Sequence, residues 1–193
     1  MNLKKIKLDR VLPILLLIFL VAYVFSPRLK SWMIRGLMTV GFFKPDIPQL
    51  KPNTQYQPAP PVQLQTIDAR TINLQDEKGK VVFINFWATW CPPCLAELPT
   101  INALYEKEKG NPNVVFVTID IDSNLPKSTK FLQIKDYAFP VYAAIGAEKL
   151  YNEGIPTTLV IDKKGDIVFS HFNRANYNSD QFKKFIDDLA KQP

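Results

Sequence analysis

Cysteine and histidine are almost missing from this chain, with two cysteines and one histidine in 193 residues. A structural zinc site takes about four ligands. Cys91 and Cys94 supply half of such a set, and His171 stands alone, far along the chain, with no paired ligand motif. Metal is therefore not expected, and the residual reading is a two-coordinate soft ion such as Cu(I), which thiolates select. A static disulfide between the two cysteines would close a very short loop and stabilise little. Haem attachment through a CxxCH motif is excluded because Leu95 follows Cys94. Internal repeats are absent as well.

The formal charge of +6 would suit a nucleic-acid binder if it were spread over the chain, but it is concentrated at one end. Residues 1–44 hold eight of the 24 Lys/Arg and one of the 18 Asp/Glu, which leaves 16 basic against 17 acidic residues beyond them. The C-terminal part is near neutral, so nucleic acid is not an expected partner.

The basic end adjoins an apolar run. Val11 to Phe25 is almost unbroken and follows Lys4, Lys5, Lys7 and Arg10. At about 15 residues it is short for a span of about 20, so Leu8 and snorkelling Arg10 and Arg28 must help. A cleaved signal peptide is the rival, but the run ends in Tyr23, Val24, Phe25, Ser26 and Pro27 where small residues are wanted. An uncleaved transmembrane anchor over 1–30 is favoured, with a cytoplasmic N-terminus and the remainder outside, although Arg28, Lys30 and Arg35 weaken the charge asymmetry. Trp32 to Phe43 is read as a short interfacial amphipathic segment, since Arg35 and Gly36 interrupt any second crossing. Pro45, Pro48, Pro52, Pro58, Pro60 and Pro61 then mark 31–61 as ending in a semi-rigid spacer.

A domain over 62–193 follows. Val62 to Thr66 and Arg70 to Leu74 alternate around Asp68 and Ala69 as a hairpin does. Val81 to Trp87 is apolar except for Asn85, the pattern of a central strand covered on both faces. A helix is expected from the cysteines to about Lys109, a strand over Val114 to Ile121, and a helix over Pro126 to Tyr137. Thr157 to Ile161 and Ile167 to Phe172 form a second hairpin around Asp162 to Asp166. The last helix repeats Phe182, Phe185, Ile186 and Leu189, with Asn178 and Gln181 as its capping pair. This order implies an α/β layer sandwich with a mixed sheet, and the CxxC lies beyond the carboxyl end of the central strand, where open α/β sheets place their sites.

Three-residue spacing puts both thiols in one helical turn, where unpaired N–H groups and the dipole favour a thiolate. One cysteine can attack a disulfide and the other resolve it. Pro92 removes a donor beside Cys91, Pro93 suits a first-turn position, and Pro99 is expected to kink the helix. Trp90 either shields the disulfide and contacts partners or packs at the strand end. On a helical wheel Glu97 falls inside the apolar stripe of Cys94, Leu98, Ile101, Leu104 and Tyr105. Burial would raise its pKa and make it a proton acceptor for Cys94, while the plainer reading is a first-turn acid at a cleft edge. Proline at the strand start in Gly154-Ile155-Pro156-Thr157 can be cis, which would leave the Ile155 backbone free to pair with an extended substrate. His171 is read as structural or solvent-facing.

The stretch Asn85 to Pro99, NFWATWCPPCLAELP, followed by Gly154 to Asp162, GIPTTLVID, resembles the membrane-anchored thioredoxin-like disulfide reductases of the TlpA/ResA type. The resemblance covers about Val62 to the C-terminus; anchor and spacer are shared in kind only. It implies a thioredoxin-like fold with a central mixed sheet flanked by helices, an added N-terminal β-hairpin and an inserted helical segment around Pro126 to Tyr137. It also implies that Pro156 is cis and packs against the cysteines. Cys91 then corresponds to the exposed nucleophile, Cys94 to the resolving thiol and Glu97 to the family's acid, with Trp90, Pro92, Pro93, Ile155 and Pro156 meeting substrate. Thioredoxin itself carries an acid in the central strand where this chain has Asn85.

The expected function is that of a membrane-tethered, extracytoplasmic thiol–disulfide oxidoreductase, reducing partner proteins through Cys91 and Cys94 without a cofactor. Its expected partners are disulfide-containing proteins outside the cytoplasm, a membrane thiol–disulfide electron donor and the lipid bilayer. By resemblance, substrates include apocytochromes awaiting haem and copper-site proteins. An oxidase of the same fold, or a module binding Cu(I) or thiol clients, are the alternatives.

Overall fold

The computed structural model describes residues 3–26, 30–31, 33–34, 36–37, 45–49, 54–151 and 154–192, with side chains from residue 11 onward except at 144 and 149. Helix α1 (Leu3–Phe25) comes first. Its apolar side chains from Val11 to Phe25 are solvent-exposed rather than packed on the domain. Among the described residues no helix is long and apolar enough to cross a membrane. Most of the segment from Trp32 to Phe43, read as interfacial, lies outside the described residues.

The domain is built on one eight-stranded mixed sheet in the order β1-β8-β7-β4-β5-β6-β2-β3. Its strands are β1 (Gln57–Pro58), β2 (Gln63–Gln65), β3 (Thr71–Asn73), β4 (Val81–Trp87), β5 (Val114–Asp120), β6 (Val141–Ile145), β7 (Thr157–Ile161) and β8 (Asp166–Phe172). The helices are α2 (Pro92–Glu108), α3 (Leu125–Ile134) and α4 (Asp180–Lys191). Strand β4 lies parallel to β5 and antiparallel to β7, and all seven of its residues are buried. Its near-continuous apolar run is what coverage on both faces demands. One face carries Phe83, Leu98, Ile101, Leu104, Phe169, Tyr177 and Phe182 in a core shared with both cysteines. The opposite face holds Ile84, Phe86, Ile119 and Leu159.

The predicted hairpin forms as β2 and β3, and β2 also pairs antiparallel with β6, so the hairpin extends one edge of the sheet. Its turn closes through Ala69 N–H to the Thr66 carbonyl at 3.0 Å, with Ala69 at φ 62°. The second hairpin, β7 with β8, is in place, and α3 occupies the expected inserted segment between β5 and β6.

Three features depart from the sequence reading. The last helix is capped by Ser179, whose hydroxyl accepts from Phe182 N–H, and not by Asn178 with Gln181. Both Asn and Ser are good caps, and the register of Phe182 and Ile186 toward the core decides between them. Strand β6 follows Pro140 and lies between β5 and β2 in the sheet. Gln57 and Pro58, within the expected spacer, pair with Ile167 and Asp166 of β8, while Ile47 and Tyr56 pack against the core.

Candidate active site

The site forms where β4 ends and α2 begins. Cys91 is the N-cap of α2, in extended backbone conformation, with Pro92 and Pro93 as the first two helical residues. Neither proline has an N–H to leave unpaired. Cys94 therefore supplies the first N–H of the helix, and it points to Cys91 Sγ at 3.2 Å. Pro92, expected to remove a donor beside Cys91, opens the helix. Cys91 and Cys94 are joined as a disulfide with their Cα atoms 5.3 Å apart.

The nucleophile expected to be exposed is in fact covered: Cys91 is 3% accessible and Cys94 0%. The helix docks its cysteine turn directly against the core, which leaves the Cys91 sulfur as the marginally more open of the two. Trp90, by contrast, is 54% exposed. Its indole N–H donates to Asp122 Oδ2 at 2.7 Å, which holds the ring against the loop after β5. Pro92, Pro93 and Ile155 are half-buried and Pro156 is buried. The Ile155–Pro156 peptide is cis, as the family resemblance implied. Ile155 packs against the core cluster that contains both cysteines. The Pro156 carbonyl accepts from Asn173 N–H at 2.8 Å. His171 is half-buried, stacked on Phe169, and its pKa is lowered mainly by burial.

Glu97 lies one turn beyond Cys94 on α2 and is fully buried. Asn85 Nδ2 donates to its Oε1 at 2.8 Å, and Ala175 N–H donates to its Oε2 at 3.1 Å. Burial pushes its pKa from the ordinary 4.5 up to about 8, against the opposing pull of these two donors. The segment carrying Ala175 is held onto α2 by Thr100, whose hydroxyl accepts from Tyr177 N–H at 3.2 Å and donates to the Glu97 carbonyl at 2.8 Å. Tyr177 is also buried, and its phenol is raised well above its usual pKa, first by burial and then by Glu97. Among the described residues no group of three or more His, Cys, Asp or Glu is placed to hold a metal ion.

A buried acid with a raised pKa makes stability depend on pH with a definite sign. Between about 4.5 and about 8 the unfolded chain ionises Glu97 while the folded chain keeps it protonated, so stability falls as pH rises through that window. The expected slope from this residue is about 1.4 kcal/mol per pH unit. Urea melts of oxidised wild type and Glu97→Gln across this range should differ by that slope, and parallel curves would show that Glu97 ionises normally.

The sequence singled out Cys91, Cys94, Glu97 and Pro156 as candidates and did not name Glu97's hydrogen-bond partners. Asn85 carried a signal as the one polar residue of an apolar strand. The Ala175 donor is a backbone group, which no side-chain pattern marks.

These features, a disulfide capping a helix at the end of a central strand whose antiparallel neighbour follows a cis proline, define the class of thioredoxin-like thiol–disulfide oxidoreductases. Residues 54–184 match the Redoxin family model. The chain is 37% identical over 139 residues to the thiol-disulfide oxidoreductase ResA of Bacillus thuringiensis subsp. konkukian, covering 69% of this chain and 75% of that one. It is 33% identical over 153 residues to the thioredoxin-like protein YneN of Bacillus subtilis, covering 74% and 90%. Among solved structures, a thiol:disulfide interchange protein of the thioredoxin family from Chlorobium tepidum superposes with TM-score 0.60 at 25% identity, covering 72% of this chain and 99% of that one. StoA from Bacillus subtilis gives 0.51 at 25%, covering 68% and 98%. The chain belongs to the Redoxin family, in its ResA/TlpA-type branch of thiol–disulfide oxidoreductases.

Proposed function

We propose that this protein is a membrane-tethered reductase of disulfides in extracytoplasmic proteins. The observation that carries the reading is the Cys94 N–H aimed at Cys91 Sγ on the first turn of a helix. A thiolate on Cys91 keeps that donor and sits at the positive end of the helix dipole, so Cys91 is the thiol that ionises readily.

In the reduced protein the Cys91 thiolate attacks a partner disulfide. One partner sulfur leaves as a thiolate and the other stays bonded to Cys91. Cys94 then gives its proton to the Glu97 carboxylate and attacks Cys91 Sγ. The second partner thiolate departs, the partner has gained two electrons, and the Cys91–Cys94 disulfide is formed. A membrane thiol–disulfide donor returns the electrons. Exposed Trp90 and half-buried Pro92, Pro93 and Ile155, with Pro156 beneath, form the surface on which the partner segment lies.

Tethering rests on α1. Its 23 residues rise about 35 Å, and its apolar side chains from Val11 onward meet no core. On this reading the basic N-terminus stays in the cytoplasm and the domain faces outward.

Cys94→Ser is expected to stall the reaction after the first step. Expressed in intact cells, it should accumulate covalent adducts that disappear under a reducing agent, and their partners name the substrates. Absence of any adduct, with the variant folded and at the membrane, would sink the reductase reading.

A further inference from the structure

We infer that Asn85 is a positioning residue that keeps Glu97 able to accept the proton of Cys94. The inference rests on the reading of Glu97 as that acceptor.

Asn85 is the only polar side chain in β4 and is fully buried. A polar group in such a strand is costly unless its hydrogen bonds are made. Its amide nitrogen makes two, to Glu97 Oε1 at 2.8 Å and to Thr158 Oγ1 at 2.9 Å, while its Oδ1 meets no donor among the described residues. Both amide protons are thus committed. Asn85 and Thr158 are direct cross-strand partners in the antiparallel β4/β7 pair, so the sheet register holds the amide between the threonine and the acid.

The other carboxylate oxygen receives the Ala175 N–H. Each oxygen of Glu97 therefore faces an N–H donor, the arrangement a carboxylate needs and a neutral acid uses less well. The groups that meet Glu97 from the packed elements are Asn85 of β4, Ala175 and Tyr177 from the segment after β8, and Thr100 on its own helix. Tyr177 is held neutral, so it sets no second negative charge against the acid. The hydrogen bond from the Asn85 amide, with that from Ala175 N–H, offsets the burial of the carboxylate. An aspartate in its place would set a second carboxyl against the first and do the reverse.

In the resolving step the Cys94 S–H proton passes to Glu97 as Cys94 bonds to Cys91 and the partner leaves as a thiolate. The rate at a given pH follows the ionised fraction of Glu97, and removing the donor lowers that fraction.

Reduced full-length protein in detergent micelles, mixed rapidly with an aromatic disulfide, releases two coloured thiols, the second reporting resolution by Cys94. With Asn85→Leu the second release should slow about tenfold at pH 7, and its pH midpoint should move about one unit alkaline, the equivalent shift. Asn85→Asp, nearly isosteric, should move the midpoint in the same direction and serves if the leucine variant does not fold. In a Glu97→Gln background, Asn85→Leu should add no further slowing. An unmoved midpoint in the folded variant, or equal slowing with and without Glu97, overturns the inference. A Glu97→Gln protein that resolves like wild type overturns the acceptor reading and the inference with it.

Discussion

Replacing Cys91 by serine is expected to abolish disulfide exchange, a loss on the order of 10⁴-fold or more, as for other covalent nucleophiles. The remaining thiol cannot take over. Cys94 is completely buried, while the Cys91 sulfur lies at the helix start beside exposed Trp90. The N–H that stabilises negative charge on Cys91 belongs to Cys94 itself, so the helix start favours one of the two sulfurs. Cys91→Ser should yield neither turnover of a disulfide substrate nor a mixed disulfide, while its circular dichroism stays that of the folded protein. A mixed disulfide trapped on Cys94 in Cys91→Ser, with none formed by Cys94→Ser, would reverse the two roles.

Phe182→Ala is expected to destabilise the domain by about 3–5 kcal/mol, a large part of the roughly 5–15 kcal/mol that holds a typical domain. Phe182 projects from the first turn of α4 into the core and is fully buried. Its ring centroid lies 6.1 Å from that of Phe83, 5.4 Å from Phe169, 5.0 Å from Tyr177 and 5.9 Å from Phe185. Truncation opens a cavity bordered by four rings, which cannot all move inward at once. Urea denaturation measures the cost, and a loss below about 1 kcal/mol would show that these rings do not act as one cluster. The variant also removes the packing under Tyr177, whose segment presents the Ala175 donor to Glu97.

The order of strands and helices was legible because hydrophobic periodicity survives in the central elements. Val81 to Trp87 and the Phe182, Phe185, Ile186 and Leu189 repeat sit where burial is nearly complete, so their pattern is strong. Gln57 and Pro58 left no such trace, since a two-residue edge strand with exposed side chains needs no apolar alternation. Strand β6 was missed because it is short and half-exposed at Val141 and Tyr142, with Ile145 fully outward.

The sequence by itself determined the chemistry: two cysteines with three-residue spacing, too few ligands for structural zinc, and an acid on the apolar stripe of the helix that follows. Those are matters of residue type and of spacing along one element, which the linear order carries directly. Only the tertiary structure decided the state of that acid. Its donors come from Asn85, 12 positions before it, and from the backbone of Ala175, 78 positions after it. The depth that raises its pKa exists only once α2 is packed between the sheet and the segment after β8. Desolvation and long-range hydrogen bonding depend on what folding brings near, and adjacency in sequence does not contain them.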